Sequence, residues 1–449
     1  MQTGCAVALA LRGIRKAFGS LVAVEGVDLE LRAGEMHALV GENGAGKSTL
    51  ANVAFGGLHP DAGTIERTGT IGLVHQHFEL AERLRVWENV LLGREPCRFW
   101  TIDREQAHAR VRELATRHGL EVDPDAAVET LPVAVRQRVE LLRELERDPT
   151  VLLLDEPTAT LAPAETEALF TTLTQLAERG IAILIITHKL ADVVRFTQRV
   201  TVMRAGRIVA RMETAQTTLD EIAHAMVGGD LPQVAARTAT TPAPYLSFQD
   251  LEVRSGEIVG IAGVEGNGQT ALFDAIAQIV PDAGIIPQDR QREALVLGWS
   301  IADNVALGRQ RTRYRRGIVF DRKTARSDAI SIIERFDVRP RSVDAPIGTL
   351  SGGNQQKIVV GRALEGRPRF VLAYQPTRGI DIGAAAIVQS RLIEARNAGC
   401  AILLISFDLD EIFVLADRIA VMYSGRLGPL FPRDSIDRAR IGALMTGAT

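Results

Sequence analysis

The chain repeats itself. DLELRAGE (28–35) returns 222 residues later as DLEVRSGE (250–257), and ENVLLGRE (88–95) returns as DNVALGRQ (303–310). DEPTATLAPAE (155–165) matches YQPTRGIDIGA (374–384), ITHKLADV (186–193) matches ISFDLDEI (405–412), and RVTVMRAGRI (199–208) matches RIAVMYSGRL (418–427). A period this long marks a duplicated domain rather than a solenoid. At 449 residues the length suggests two or three domains, since one core rarely grows past about 250–300 residues. The expected division is a domain over 1–228, a linker over 229–245 and a second domain over 246–449. The join, GDLPQVAARTATTPAPY, is rich in Ala, Thr and Pro and lacks apolar periodicity.

Within each copy, short continuous apolar runs such as VLLL (151–154), IAILII (181–186) and AILLI (401–405) read as strands of a parallel sheet buried on both faces. CAVALAL (5–11) reads as a first strand, with neither a preceding basic residue nor a cleavage site to make it a signal peptide. Helical stretches alternate with the strands; one begins at Asp103, which with Gln106 resembles a capping pair. The fold class is α/β, twice over. No apolar run approaches the roughly 20 residues of a membrane-spanning helix. A net charge of −3, with basic residues spread along the chain, argues against nucleic acid as the main partner. Cys5, Cys97 and Cys400 have no metal-ligand spacing and suit a reducing compartment.

GENGAGKS (41–48) fits G-x-x-x-x-G-K-[ST]. In such a loop the backbone of Gly41, Glu42, Asn43, Gly44, Ala45 and Gly46 wraps a phosphate, and the helix opening at Lys47, Ser48 and Thr49 supports its charge. Lys47 would reach the β- and γ-phosphates, and Ser48 would hold Mg²⁺. A glycine-rich strand-to-helix turn is the plainer reading, but VLLLDEP (151–157) weighs against it. A buried strand there delivers Asp155 towards a metal and Glu156 beside it as a candidate base for water.

With these residues in place the chain resembles the ATP-binding subunits of ABC transporters, nearly end to end in both halves. The resemblance implies two tandem P-loop nucleotide-binding domains, each a mostly parallel sheet plus a helical subdomain (about 81–145 and 295–363). It also implies ATP and Mg²⁺ as ligands. Phe18, in KAFG, is similar to the aromatic on which adenine stacks. Gln76, in VHQHF, resembles the glutamine that touches Mg²⁺ and water and reports to the membrane partner. His188, in IITHKL, resembles the histidine that hydrogen-bonds the γ-phosphate. The family's signature turn is intact in the second half as LSGGNQQK (350–357), with Ser351, Gly352, Gly353 and Asn354 facing the γ-phosphate. Its counterpart in the first half, LPVAVRQR (131–138), is broken at Pro132, Ala134 and Val135.

In this family two domains meet head to tail, so each ATP lies between one domain's phosphate loop and the other's signature. The second half has Gln269 for the lysine, Tyr374 for the metal-site aspartate, Gln375 for the glutamate and Phe407 for the histidine. None of these can do the original chemistry, and their opposing signature would be the broken one. The expectation is an internal pseudo-dimer with one hydrolytic site and one degenerate site. The first joins Lys47, Ser48, Gln76, Asp155, Glu156 and His188 to Ser351–Asn354. Gln288, in IIPQDR, aligns with Gln76 and would serve contact with a membrane partner.

VHQHFEL, WENVLLGREP, IIPQDR and LSGGNQQK together look like the tandem ATPase subunit of importers for nucleosides or related simple sugars. That implies a peripheral protein on the cytoplasmic face of the cell membrane. Two permease subunits would dock at about 77–100 and 289–310, fed by an extracytoplasmic solute-binding lipoprotein. A ribose- or galactose-type importer is the nearer alternative, and a soluble tandem ABC ATPase acting on ribosomes or nucleic acid the more distant one. The segments before Gln76 and Gln288 are short, and the second half starts abruptly at YLSFQDLEVRSGE, so its antiparallel layer should be reduced.

Overall fold

A computed structural model describes residues 6–19, 21–75, 79–98, 100–158, 161, 163–229, 233–316 and 319–447. The chain forms two compact units, Met1–Asp230 and Leu231–Thr449.

In unit 1 the apolar runs form a six-stranded sheet. Its order is Arg207–Glu213, Arg199–Arg204, Met36–Gly41, Ala182–Ile186, Val151–Asp155 and Ile71–Val74, parallel except for the first. Side chains alternate across it, as strand pleating requires. Leu153 and Ile186 join one apolar core with Leu39 and Leu50, while Leu152, Leu154 and Ile183 join another with Trp87, Leu142 and Phe170. The first core is closed by an antiparallel sheet of three strands, Leu21–Arg32, Val7–Phe18 and Ala62–Arg67. The second is closed by helices that include Val86–Val90, Arg104–His118 and Val133–Leu145. The side chain of Asp103 caps the middle one by accepting from the Gln106 N–H.

Unit 2 repeats the parallel core in the order Gly284–Ile286, Phe370–Tyr374, Ala401–Ser406, Ile258–Ala262 and Arg418–Tyr423, with short antiparallel strands at the last edge. Its antiparallel layer is a single hairpin, Pro244–Phe248 with Leu251–Arg254. The hairpin strands have 5 and 4 residues where unit 1 has two of 12. After the helix Gln269–Ile279, only four residues precede the strand at Gly284, too few for a counterpart of Ala62–Arg67.

The Ala/Thr/Pro segment has no helix or strand over residues 233–243, yet polar side chains of unit 2 fasten it. The Ala235 N–H donates to Ser390 Oγ at 2.9 Å, the Thr238 N–H donates to Asn397 Oδ1 at 3.1 Å, and Arg396 donates to the Thr238 carbonyl. Among the described residues no helix is long and apolar enough to cross a membrane.

Candidate functional site

The loop after Met36–Gly41 turns into the helix Lys47–Phe55 through Gly44 (φ 81°) and Gly46 (φ 97°), a left-handed backbone that favours glycine. At Gly46 space adds a second reason, because a Cβ would stand 2.2 Å from the Ala23 carbonyl oxygen. Lys47 is buried and folds back over the loop, its Nζ donating to the carbonyls of Gly41 (2.8 Å) and Glu42 (3.0 Å). Ser48 opens the helix and hydrogen-bonds the buried carboxyl of Asp155. Burial pushes that carboxyl above its ordinary range, against the Ser48 hydrogen bond and the Lys47 charge. A hydroxyl beside a desolvated carboxylate is an oxygen donor set suited to Mg²⁺, so the residues fit the ion. Among the described residues no cluster of three or more His, Cys, Asp or Glu offers a different metal site.

Glu156 follows with φ 49°, its N–H donating to the Ile186 carbonyl at 2.8 Å. That backbone is uncommon for a residue with a side chain. It leaves the carboxylate 3.1 Å from His188 Nδ1. Burial raises the Glu156 carboxyl, but the His188 hydrogen bond and the charges of His188, Lys47 and Lys189 outweigh it and hold the group below its ordinary range. The carboxylate is therefore ionised at neutral pH, as a general base must be. Phe18 lies at the end of its strand, 49% exposed, with Lys16 Nζ 5.8 Å from the ring centroid. Glu42 and Thr49 are half-buried, Asn43 is exposed and Ala45 is buried within the turn. Gln76 lies outside the described residues.

The equivalent place in unit 2 keeps the backbone and loses the charges. Gly266 (φ 91°) and Gly268 (φ 102°) shape the same turn, and Gln375 repeats φ 49° with its N–H on the Ile405 carbonyl. Gln269 Nε2 donates to the Val264 carbonyl at 3.0 Å, imitating one of the two bonds made by Lys47. Where Ser48 meets Asp155, Thr270 Oγ1 lies 3.4 Å from the hydroxyl of Tyr374. The Tyr374 ring packs on Phe273 (centroids 5.6 Å apart) and edge-on against Phe407 (5.9 Å). Aromatic carbon thus occupies the positions of the metal-site carboxylate and the histidine. Gln288 Nε2 donates to Glu265 Oε1 at 3.2 Å, which ties this loop to the glycine turn.

The two signature turns differ in the same direct way. Ser351 caps the helix Gly352–Leu364, its Oγ accepting from the Asn354 N–H at 3.4 Å and from Asn354 Nδ2 at 3.0 Å. Gly352 is half-buried and Gly353 buried. Pro132 stands at the same place before Val133–Leu145 and offers no side-chain cap. Ala134 and Val135 are half-buried in the first turn of that helix. Both helices share an anchor that the motif reading missed. Gln137 Nε2 donates to the Pro157 carbonyl at 2.6 Å, and Gln356 Nε2 to the Pro376 carbonyl at 2.8 Å. Identical spacing of these two glutamines in the aligned copies was the available signal.

Comparison with known proteins gives this geometry a setting. The ABC transporter family matches residues 24–159 and 246–378. The chain is 37% identical to the nucleoside import ATP-binding protein NupA of Lactococcus lactis, over 97% of each chain. It is 37% identical to the guanosine import ATP-binding protein NupO of Bacillus subtilis, over 97% of this chain and 96% of that protein. The ribose import ATP-binding protein RbsA 1 of Streptomyces avermitilis is 36% identical, over 97% and 93%. A chain of the solved complex of archaeal ribosomal stalk protein aP1 with the archaeal ribosome recycling factor aABCE1 superposes with a TM-score of 0.68, over 96% of this chain and 92% of that one. At 16% identity that likeness concerns the fold alone. Matched over both copies of its repeat and along nearly its whole length, the chain belongs to the ABC transporter family.

Proposed function

We propose that the chain is the ATP-hydrolysing subunit of an importer for nucleosides or related simple sugars, and that a single nucleotide site supplies its turnover. The observation that carries this reading is the inequality of the two units. Lys47, Asp155, Glu156 and His188 are assembled in unit 1, whereas Gln269, Tyr374, Gln375 and Phe407 stand in their places in unit 2.

The loop amides and Lys47 receive the phosphates, and the exposed ring of Phe18 receives adenine. Ser48, Asp155 and Gln76 would hold Mg²⁺, which when bound neutralises phosphate oxygens. Glu156 takes a proton from the water that attacks the γ-phosphorus, the bond from that phosphorus to the bridging oxygen breaks, and ADP and phosphate leave. His188 is assigned, on the family pattern, to hydrogen-bond the γ-phosphate, and its contact with Glu156 favours the ionised carboxylate. Ser351, Gly352, Gly353 and Asn354 are assigned, on the family pattern, to close over the γ-phosphate held by unit 1. The degenerate partner site would combine the unit 2 loop with Pro132, Ala134 and Val135.

The partners of this reading are two permease subunits and, through them, an extracytoplasmic solute-binding lipoprotein, which places the chain peripherally on the cytoplasmic face. The relatives named for nucleoside and guanosine import favour nucleosides. Ribose-import relatives of nearly equal identity keep a sugar as the second reading, because the binding protein and permease select the solute. Vesicles carrying the chain with its permease pair and binding protein should take up a labelled nucleoside only when ATP is enclosed on the chain's side. Uptake of ribose but no nucleoside would replace the first reading with the second, and ATP-independent uptake would contradict both.

A further inference from the structure

The strand Val151–Asp155 runs into Glu156, and the chain turns away through Pro157 and Thr158. Four bonds among the described residues fix that turn. The Glu156 N–H donates to the Ile186 carbonyl, and Gln137 donates to the Pro157 carbonyl. Thr158 is buried; its Oγ1 donates to Asp192 Oδ2 at 3.1 Å, and its carbonyl accepts from Lys189 Nζ at 2.6 Å. A buried carbonyl requires such a donor.

Unit 2 repeats the first three. The Gln375 N–H donates to the Ile405 carbonyl, Gln356 donates to the Pro376 carbonyl, and Thr377 Oγ1 donates to Glu411 Oε1 at 2.7 Å. Among the described residues the fourth has no counterpart. Asp408 aligns with Lys189, and its side chain has no N–H to give. Instead Asp408 Oδ1 accepts from the Asp410 N–H at 2.8 Å and caps the helix Leu409–Leu415.

The backbone of the two helix starts is the same. The Lys189 N–H donates to Thr187 Oγ1 at 3.0 Å, as the Asp408 N–H does to Ser406 Oγ at 3.1 Å. Only the side chain has changed task. Lys189 stands at the N-cap of the helix Leu190–Phe196 and makes no side-chain cap there. Asp, Asn, Ser and Thr are favoured at that position because their oxygens accept from first-turn N–H groups, and a cation opposes the positive end of the helix dipole. Helix formation therefore favours the residue that unit 2 has. It does not account for Lys189; the grip on Thr158 does.

We propose that Lys189 is a positioning residue for Glu156, holding the turn behind the base by the Thr158 carbonyl. The inference rests on the proposed role of Glu156 as base for the attacking water. Glu156 has φ 49°, a backbone that persists only where its surroundings fix it, so its aim depends on the bonds that hold the turn. Two consecutive residues grip that turn at both ends. His188 Nδ1 lies 3.1 Å from the Glu156 carboxylate, and Lys189 Nζ meets the carbonyl two residues later. In unit 2 both grips are replaced together, by Phe407 and Asp408, where Gln375 offers no base to aim.

The test uses the purified full-length chain, steady-state ATP hydrolysis and thermal unfolding. Lys189→Ser removes the reach to Thr158 and supplies an N-cap. Its kcat should fall about tenfold or more, as expected for a displaced catalytic group, while its unfolding midpoint equals or exceeds the parent's. KM for ATP should stay within about twofold, because the glycine turn and Lys47 are unaltered. Lys189→Arg keeps a cationic donor and should hold kcat within about threefold of the parent. In a Glu156→Gln background Lys189→Ser should lower the residual rate by no more than about twofold, since no base is left to position. Lys189→Met serves if the serine variant fails to fold. A folded variant with the parent's kcat, or a full tenfold loss repeated in the Glu156→Gln background, would overturn the inference and leave a defective Glu156→Gln as evidence for the base. A raised KM with unchanged kcat would overturn it too, by making Lys189 a nucleotide ligand. Full turnover by Glu156→Gln would overturn both the inference and the reading beneath it.

Discussion

The two glycine turns of this chain are alike in backbone and opposite in chemistry. Both run through left-handed glycines into a helix, and both end their neighbouring strand on a residue at φ 49°. In unit 1 that frame holds a buried lysine, two carboxylates and a histidine. In unit 2 it holds a neutral amide and a cluster of aromatic rings. The comparison separates two requirements that a single domain would leave entangled. Fold stability needs the loop carbonyls paired and the strand ends filled, and Gln269 and Tyr374 satisfy it. The proposed phosphate chemistry needs a cationic side chain on the loop and a carboxylate base beside it, and of the two turns the first carries them as Lys47 and Glu156 while the second has Gln269 and Gln375.

The comparison breaks most sharply at the base. Glu156→Gln keeps the shape and removes the proton acceptor, so steady-state hydrolysis should fall by roughly 10²–10⁴ while ATP stays bound; near-parental turnover would remove Glu156 from the mechanism. Next comes the signature. Ser351→Ala should cost about tenfold or more in kcat if Ser351 is the proposed donor to the γ-phosphate, whereas Pro132→Ser should leave the rate within about twofold. Equal losses from the two changes would erase the asymmetry. A third variant asks whether unit 2 can be repaired. Tyr374→Asp puts a carboxylate among Phe273 and Phe407, and thermal or urea unfolding should show a loss on the order of 3 kcal/mol with no gain in hydrolysis.

The smallest effect concerns pH. The folded chain holds the Glu140 proton up to about 7, whereas an unfolded chain releases it near the ordinary 4.5. The native state therefore binds more protons across that window, and stability should fall as the pH rises through it. Glu411, fully buried in unit 2 and also lifted to about 7 by burial, adds to the same slope. Glu140→Gln should flatten the slope in part, as read from denaturation midpoints at pH 5 and pH 7.5; an unchanged slope would mean that Glu140 does not titrate there.

Much of this was legible in the residues because duplication supplies its own control. VLLL, IAILII and AILLI are apolar without interruption, which a sheet covered on both faces accommodates, and all three lie in interior strands of the two parallel sheets. The reduced second antiparallel layer follows from chain length alone. Long-range polar contacts were not legible. Glu140 meets Glu79 across 61 residues, and Ser390 and Asn397 reach back more than 150 residues to fasten Ala235 and Thr238. No local pattern announces such pairs, so the Ala/Thr/Pro segment reads as a free tether although side chains hold it. The fate of the lost carboxylate was likewise hidden. A tyrosine in its place says that the carboxylate is gone, but only the packing of Phe273 and Phe407 around it shows what filled the room.

The central claim is that unit 1's loop drives turnover and unit 2's does not. Lys47→Ala and Gln269→Ala, purified together with the parent and assayed for phosphate release at saturating ATP, test it directly. The account predicts background activity for the first and a rate within about twofold of the parent for the second. Substantial hydrolysis by Lys47→Ala, or its loss in Gln269→Ala, would contradict it.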